Sequence, residues 1–277
     1  MRRVFHRPDC IRRLVGRLER RRLGVGFHSA KLVVMPDLRS ILAALQAHTA
    51  FEPLARAFYE PPADVVAARL LGHLLLRRTP EGLCGGLIVE TEAYLQDDPA
   101  CHAFNGITPR NRTMFGPPGH AYVYFIYGNH HCVNAVCQPP GRGEAVLIRA
   151  LMVVLGEPIM CKHRVARSRH ELTNGPGKLC AALAIDLSLD GTDLCDPASP
   201  LFIAANPFHE ACVQWLGPVA TSQRIGITRA ADWPLRFYLA NSAFVSRRTV
   251  TGRAARPLAK RSAPKPPAPS AEAGGTG

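Results

Sequence analysis

No apolar run in the 277-residue chain approaches the roughly 20 residues that a bilayer-spanning helix needs. No membrane role is expected, and with no secretion signal the expected compartment is the cytoplasm, nucleoid-associated in a prokaryote. Lysine is scarce, with five in the whole chain, which leaves few amines for Schiff-base chemistry. The nine cysteines are scattered singly, without a C-x-x-C pair, and this excludes a disulfide framework. Cys132 and Cys180 lie in apolar runs and read as small hydrophobes in a reducing compartment. His130-His131-Cys132 and Cys161/His163 match no structural metal spacing, since adjacent residues on a strand point to opposite faces. No metal and no cofactor are expected. Internal repeats are missing. "NGPGKLCAAL" is not a phosphate-binding P-loop, because Leu172 stands where the first glycine belongs and Leu179 follows the lysine.

What is present is ordinary globular composition, 47% hydrophobic and 20% charged, with a net charge of +13. That charge belongs to the ends. Residues 1–34 carry 10 basic side chains against 2 acids, and residues 247–277 carry 7 against 1, so the stretch between is close to neutral. The basic ends can add salt-sensitive attraction to phosphate, but they say nothing about a folded body. Three segments are expected. Residues 1–46 form a basic extension, read as a disordered arm or a mis-called start with Met35 opening the protein; a transit peptide would be richer in serine. Residues 47–246 form the folded domain, and the Pro/Ala/Gly-rich residues 247–277 a disordered tail.

Within the middle, "PPADVVAARLLGHLLLRR" reads as a helix and then a strand, with prolines at the helix start and Gly72 at its end. "GGLIVETEA" is a strand entered through glycines. "AYVYFIYGNHHCVNAV" is a β-hairpin, with Gly128-Asn129 offering the positive φ of a tight turn. "GEAVLIRALMV" is an apolar strand ended by its arginine, "NGPGKLCAALAI" opens a helix, and "RIGITRAADWPLRFYLANSAFVS" reads as strand, turn, strand. Strands and helices without regular βαβ alternation predict an α+β fold, a single domain on a curved, largely antiparallel β-sheet with surrounding helices.

The chemistry concentrates in "IVETEAYLQDDPACHAF", residues 88–104, where Glu90 and Glu92 interrupt a core-like strand. Carboxylates are almost never fully buried unless paired. Alternation puts Ile88, Glu90, Glu92 and Tyr94 on one face, and a solvated strand face is the plain reading of that segment alone. Two further strands tip the balance. "YVYFIY" places Tyr122 and Tyr124 on one face and Tyr127 at the hairpin tip, where an aromatic is hard to bury. Arg149 interrupts "AVLIRA" and Asn134 interrupts "CVNAV", and an arginine in an apolar strand wants a carboxylate partner.

"VETEAY", "TPRNRTMFGPPGHAYVYFIYG", "CVNAV", "VLIRAL", "NGPGKLC", "RIGI" and "PLRFY" occur in the order found in the mammalian-type alkyladenine (3-methyladenine) DNA glycosylases, and residues 52–246 of the chain resemble that family. The resemblance implies a monofunctional base-excision enzyme. It would flip alkylated purines such as 3-methyladenine and 7-methylguanine, and deaminated or etheno purines in some members, out of double-stranded DNA. Hydrolysis of the N-glycosidic bond would then leave an abasic site. By motif, Glu92 resembles the base that activates water and Arg149 the residue that positions it. Tyr94, His102 and Tyr124 would enclose the flipped base, Asn134 would exclude the 2-amino group of guanine, and Tyr127 would intercalate in the gap. The spacing from Tyr94 to His102 is one residue shorter than the family pattern, and "YGNHH" is polar where apolar side chains are expected. Lys178, at a helix start, and Arg110, in "TPRNR", are the candidates for a DNA phosphate. A helix start with a solvated lysine is the equal alternative for Lys178, and a solvated loop is the simpler reading of the basic "CKHRVARSRHE". A monomer is expected. The competing readings are a noncatalytic binder of damaged DNA with the same fold, and a sugar hydrolase, which would have no use for a tyrosine at an exposed turn.

Overall fold

Two long apolar segments organise the molecule, and their glycines decide how they pair. The computed structural model describes residues 37–246, and the basic ends considered above lie outside the described residues. Eight strands run in chain order as β1 (Leu74–Thr79), β2 (Gly82–Tyr94), β3 (Ala121–Ile126), β4 (His130–Cys137), β5 (Glu144–Leu155), β6 (Leu201–Ala204), β7 (Val219–Ser222) and β8 (Arg236–Leu239). All pairings are antiparallel, in the order β3-β4-β5-β2-β1-β6, with β8 joining β2 to β7. β2 is the hub: β5 runs along one edge, while β1 and then β8 share the other. Buried on both faces, β2 and β5 read as continuous apolar runs.

The glycines expected at the entrance of this strand lie inside β2 instead. A Cβ on Gly85 would come within 2.1 Å of the Leu75 carbonyl oxygen, and one on Gly86 within 2.1 Å of that of Met152. The backbones on both sides therefore close onto bare glycine, next to the register shift between the two residues. Further shifts around Glu90 bend the strand where its two glutamates emerge.

Among the described residues five α-helices cover the sheet: α1 (Leu38–Gln46), α2 (Ala63–Leu70), α3 (Glu157–His163), α4 (Pro176–Ala182) and α5 (His209–Leu216). The α+β architecture is as the patterning predicts. α2 follows its prolines and ends before Gly72, which sits at φ +85°. Asp37 caps α1 by accepting a 2.7 Å bond from the Ser40 amide, and Ile41 and Leu45 enter the main core. The folded body thus begins before residue 47, within the stretch read as extension. The signal is present, since Leu38, Ile41, Leu42 and Leu45 follow the spacing of one helix face, but the sequence reading groups the segment with the basic residues before it.

Three local differences have physical causes. In the β3–β4 hairpin the positive φ angles fall on Tyr127 (+54°) and Gly128 (+72°), one residue earlier than expected, so the turn bends at the tyrosine itself. Arg149 lies in the middle of β5, since its charge is neutralised there rather than ending the strand. The closing segment contributes only β8, and residues 223–235 form a loop preceded by β7.

Candidate active site

The bulged half of β2 carries Glu90 and Glu92 toward Arg149 on β5, and none of the three is more than 5% exposed. Arg149 bridges both carboxylates, with Nε 2.9 Å from Glu90 Oε1 and Nη1 3.1 Å from Glu92 Oε2. Burial pushes this guanidinium down, but the Glu92 and Glu90 charges outweigh that and hold it above its ordinary value.

The two glutamates then part company. Glu90 turns to the interior. Its Oε1 also accepts from Arg236 Nε at 2.7 Å and Ser246 Oγ at 2.8 Å, and its Oε2 accepts from the Ser246 amide at 2.6 Å. All four bonds come from structural donors, three of them to Oε1, which is how a buried charge is tolerated. Glu92 is held instead by three residues that line a cavity, without lining it itself. Its Oε2 accepts from the Tyr94 hydroxyl at 2.9 Å, and its Oε1 from the Ile225 amide at 2.7 Å. Burial pushes the Tyr94 phenol well up, and the neighbouring Glu92 charge adds to it, so this hydroxyl stays protonated and donates.

The cavity has a volume of about 340 Å³, room for a single nucleobase, and Tyr94 and Arg149 form part of its wall. Tyr122 and Tyr124, from β3, lie with ring centroids 5.4 Å apart. The His102 ring meets Tyr124 edge-on at 4.7 Å, and its Nδ1 shares a 2.9 Å hydrogen bond with the Tyr122 hydroxyl. Burial, helped by the Arg110 charge, pushes His102 below its ordinary value, so the imidazole is neutral at neutral pH. Asn134, opposite Tyr122 on β4, is 4% exposed and donates 2.9 Å to the Tyr122 carbonyl. Tyr127 stands at the lip, 77% exposed.

The structure therefore brings Arg149, Tyr94, His102, Tyr124, Asn134 and Tyr127 together around one cavity, the shortened Tyr94–His102 spacing included, with Glu92 bonded to Tyr94 and Arg149 behind that wall. The phosphate candidates are less alike. Arg110 sits at the mouth, 5.7 Å over the Tyr124 ring, and donates 3.1 Å to the Phe125 carbonyl. Lys178 is half-buried on α4 and donates 2.8 Å to Asn174, so neither reading of it is favoured. Of the basic 161–171 stretch, Lys162 pairs with Glu81 and Arg169 with Glu157.

Some members of the site had no assigned role in the sequence reading. Tyr122 completes the aromatic wall. Ile225, Gly226 and Ile227 line the side where their loop crosses, and Arg224 pairs with Asp98 behind Tyr94. The signal for Arg224 and Asp98 was present as charges beside apolar runs, but their partnership across 126 residues is visible only in three dimensions. An exposed Phe104 and Ile107 follow His102 on its loop and were also passed over.

An antiparallel α+β sheet that sets a buried, arginine-bridged carboxylate behind an aromatic pocket suits an enzyme that holds a flat ring beside an acid–base group. The comparisons give that class its name: residues 57–243 match the family described as methylpurine-DNA glycosylase, and the chain belongs to that family. It is a monofunctional DNA glycosylase, a DNA-repair enzyme that hydrolyses N-glycosyl bonds. Relatives named "Putative 3-methyladenine DNA glycosylase" are similar over most of their length. One from Methanoculleus marisnigri is 50% identical over 70% of this chain and 99% of its own, and one from Carboxydothermus hydrogenoformans is 48% identical over 70% and 99%. Another from Agrobacterium fabrum is 46% identical over 72% and 95%. Among the described residues, no helix is long and apolar enough to cross a membrane.

Proposed function

We propose that the enzyme acts as a monomer on double-stranded DNA, flips a damaged purine into the 340 Å³ cavity and hydrolyses its glycosidic bond with a water activated by Glu92. The observation that carries this reading is the unequal fate of the two buried glutamates: Glu90 is also held by Arg236 and Ser246 in the interior, whereas Glu92 is bonded by Tyr94, Arg149 and Ile225, which all line the cavity. Among the described residues Glu92 Oε1 accepts one bond, from Ile225, so a lone pair is left to take a proton. Water would attack C1′ of the deoxyribose and give that proton to Glu92. The electrons of the glycosidic bond would leave with the base. A purine methylated at N3 or N7 starts cationic and departs neutral, so it needs no further acid.

The walls support the substrate class. Tyr94, Tyr122 and Tyr124 offer aromatic faces that favour a cationic purine, and flipping is least costly for a weakened pair. Asn134, fixed by its bond to the Tyr122 carbonyl, would crowd the 2-amino group of guanine and protect the normal base. Tyr127 would fill the gap left in the stack. Neither lysine among the described residues lines the cavity, which favours water over an amine as nucleophile.

Release of free 3-methyladenine from methylated duplex DNA, measured for wild type beside Glu92→Gln, tests the proposal. Release by the wild type and its loss in a variant that still binds the lesion is the expected result. Equal release by both would remove Glu92 from the chemistry, and lesion binding without release by either would refute hydrolysis. Covalent trapping of the wild type by borohydride would overturn the water mechanism.

A further inference from the structure

Behind the pocket wall lies an ion pair that the reaction as described does not use. Arg224 and Asp98 have side chains with no exposure and are joined twice, Nη1 to Asp98 Oδ2 and Nη2 to Asp98 Oδ1 at 2.9 Å. Three contacts tie this pair to catalytic groups. The guanidinium carbon lies 4.7 Å over the Tyr94 ring, the ring whose hydroxyl bonds Glu92 Oε2. Nη1 also donates 3.0 Å to the carbonyl of Ala93, the residue between Glu92 and Tyr94. The next residue after Arg224 is Ile225, whose amide donates to Glu92 Oε1. Asp98 reaches the opposite wall: its Oδ1 accepts from the Ala100 amide at 2.9 Å and its carbonyl from the Cys101 amide at 2.8 Å, setting the turn that delivers His102.

The Arg224 Nε donor is buried with no hydrogen-bond partner. A group chosen for stability alone would not leave a donor orphaned, since each such loss is costly. Its orientation follows the Tyr94 face and the bidentate grip on Asp98 instead.

We propose that Arg224, held by Asp98, is a positioning residue for the glycosylase reaction: it fixes the Tyr94 hydroxyl and the Ile225 amide against the two oxygens of Glu92. This rests on the assignment of Glu92 as the base. The pair acts on the geometry of the carboxylate rather than on the grip on DNA, so its loss shows in the rate of the chemical step. Lysine in its place keeps a positive charge beside Asp98 but can neither bond both carboxylate oxygens in a plane nor stack flat on Tyr94.

The test is single-turnover excision of 3-methyladenine at saturating enzyme, with the Kd for lesion duplex measured in parallel. Wild type is compared with Arg224→Lys, Asp98→Glu, Asp98→Ala, Glu92→Gln and Leu45→Ala. Leu45 is a core residue of α1 outside the cavity, and its truncation lowers the melting temperature without touching the site. The expected result is a rate loss on the order of 10- to 100-fold for Arg224→Lys, the scale of a small misplacement of reacting groups. Its Kd should stay within about threefold of wild type, Asp98→Glu should recover part of the rate relative to Asp98→Ala, and Leu45→Ala should keep the full rate below its melting point. An Arg224→Lys rate equal to wild type while Glu92→Gln is inactive would overturn the positioning role and leave the base assignment standing. So would equal rate loss in Leu45→Ala. A wild type that releases no base would remove the reaction and the positioning role with it.

Discussion

Glu90→Gln is expected to destabilise this protein by about 3–5 kcal/mol, more than the loss expected for Glu92→Gln. The substitution keeps the shape and removes one charge from a buried set of four: Glu90, Glu92, Arg149 and Arg236. The set is neutral as it stands. With glutamine it carries a net positive charge, and Arg236, 1% exposed, loses its carboxylate partner. An amide group also has only one acceptor oxygen for four donors, and its NH₂ would face either the Ser246 amide or the arginines. Breaking a buried pair from one side costs about 3–5 kcal/mol. A domain of this size shifts by about 2–4 °C per kcal/mol, so the melting temperature should fall by about 6–20 °C. Glu92→Gln should lose much less, because both arginines keep Glu90 and Arg149 borders the open cavity. Calorimetric melts of the two variants beside wild type measure the difference. A Glu90→Gln melt within about 2 °C of wild type would refute the reasoning, since it would mean that the cluster is solvated or that the arginines find other partners.

The strained tip of the hairpin and a distant histidine give two more tests. Tyr127→Gly relieves a left-handed backbone that costs a non-glycine residue about 1–2 kcal/mol and removes a ring that is 77% exposed, so stability should hold or rise slightly. Lesion excision should meanwhile fall on the order of 10- to 100-fold for want of the stacked ring, and unchanged excision would exclude it as the wedge. On the far side, burial pushes His73 down to about 4, with the stacked His209 adding to it at a centroid distance of 4.5 Å. Its folded value lies below the unfolded one, so the unfolded chain binds the proton first and stability declines as pH falls below about 6.5. Linkage gives about 2 kcal/mol lost by pH 5 from this group, and urea titrations at pH 7 and 5 should show the decline shrink in His73→Phe.

Much of the site was legible because it is built from side chains that break local rules. Glu90 and Glu92 in an apolar strand, Arg149 in another and a tyrosine at a turn each have a plain structural reading alone, but their combination and motif order pointed to the family. The strand periodicities of β2, β3, β4 and β5 were equally plain, because burial on defined faces imposes them. The sequence misled where a local signal had a nonlocal cause. Gly85 and Gly86 read as a strand entrance, whereas they make room for the Leu75 and Met152 carbonyls of neighbouring strands. "RIGIT" read as a strand, whereas it is a loop held by Asp98 and Glu92.

By itself the sequence determined the class of fold, the family and the residue types at the reactive centre, since these rest on local pattern and motif. Only the tertiary structure separated the surroundings of the two glutamates. Alternation gives both the same face, and nothing within the strand distinguishes them. The difference comes from Arg236 and Ser246, which lie 146 and 156 residues away and hold Glu90, and from Ile225, a cavity-lining residue whose amide bonds Glu92. A buried charge is defined by the partners that surround it, and for this pair the deciding partners arrive from the far end of the chain.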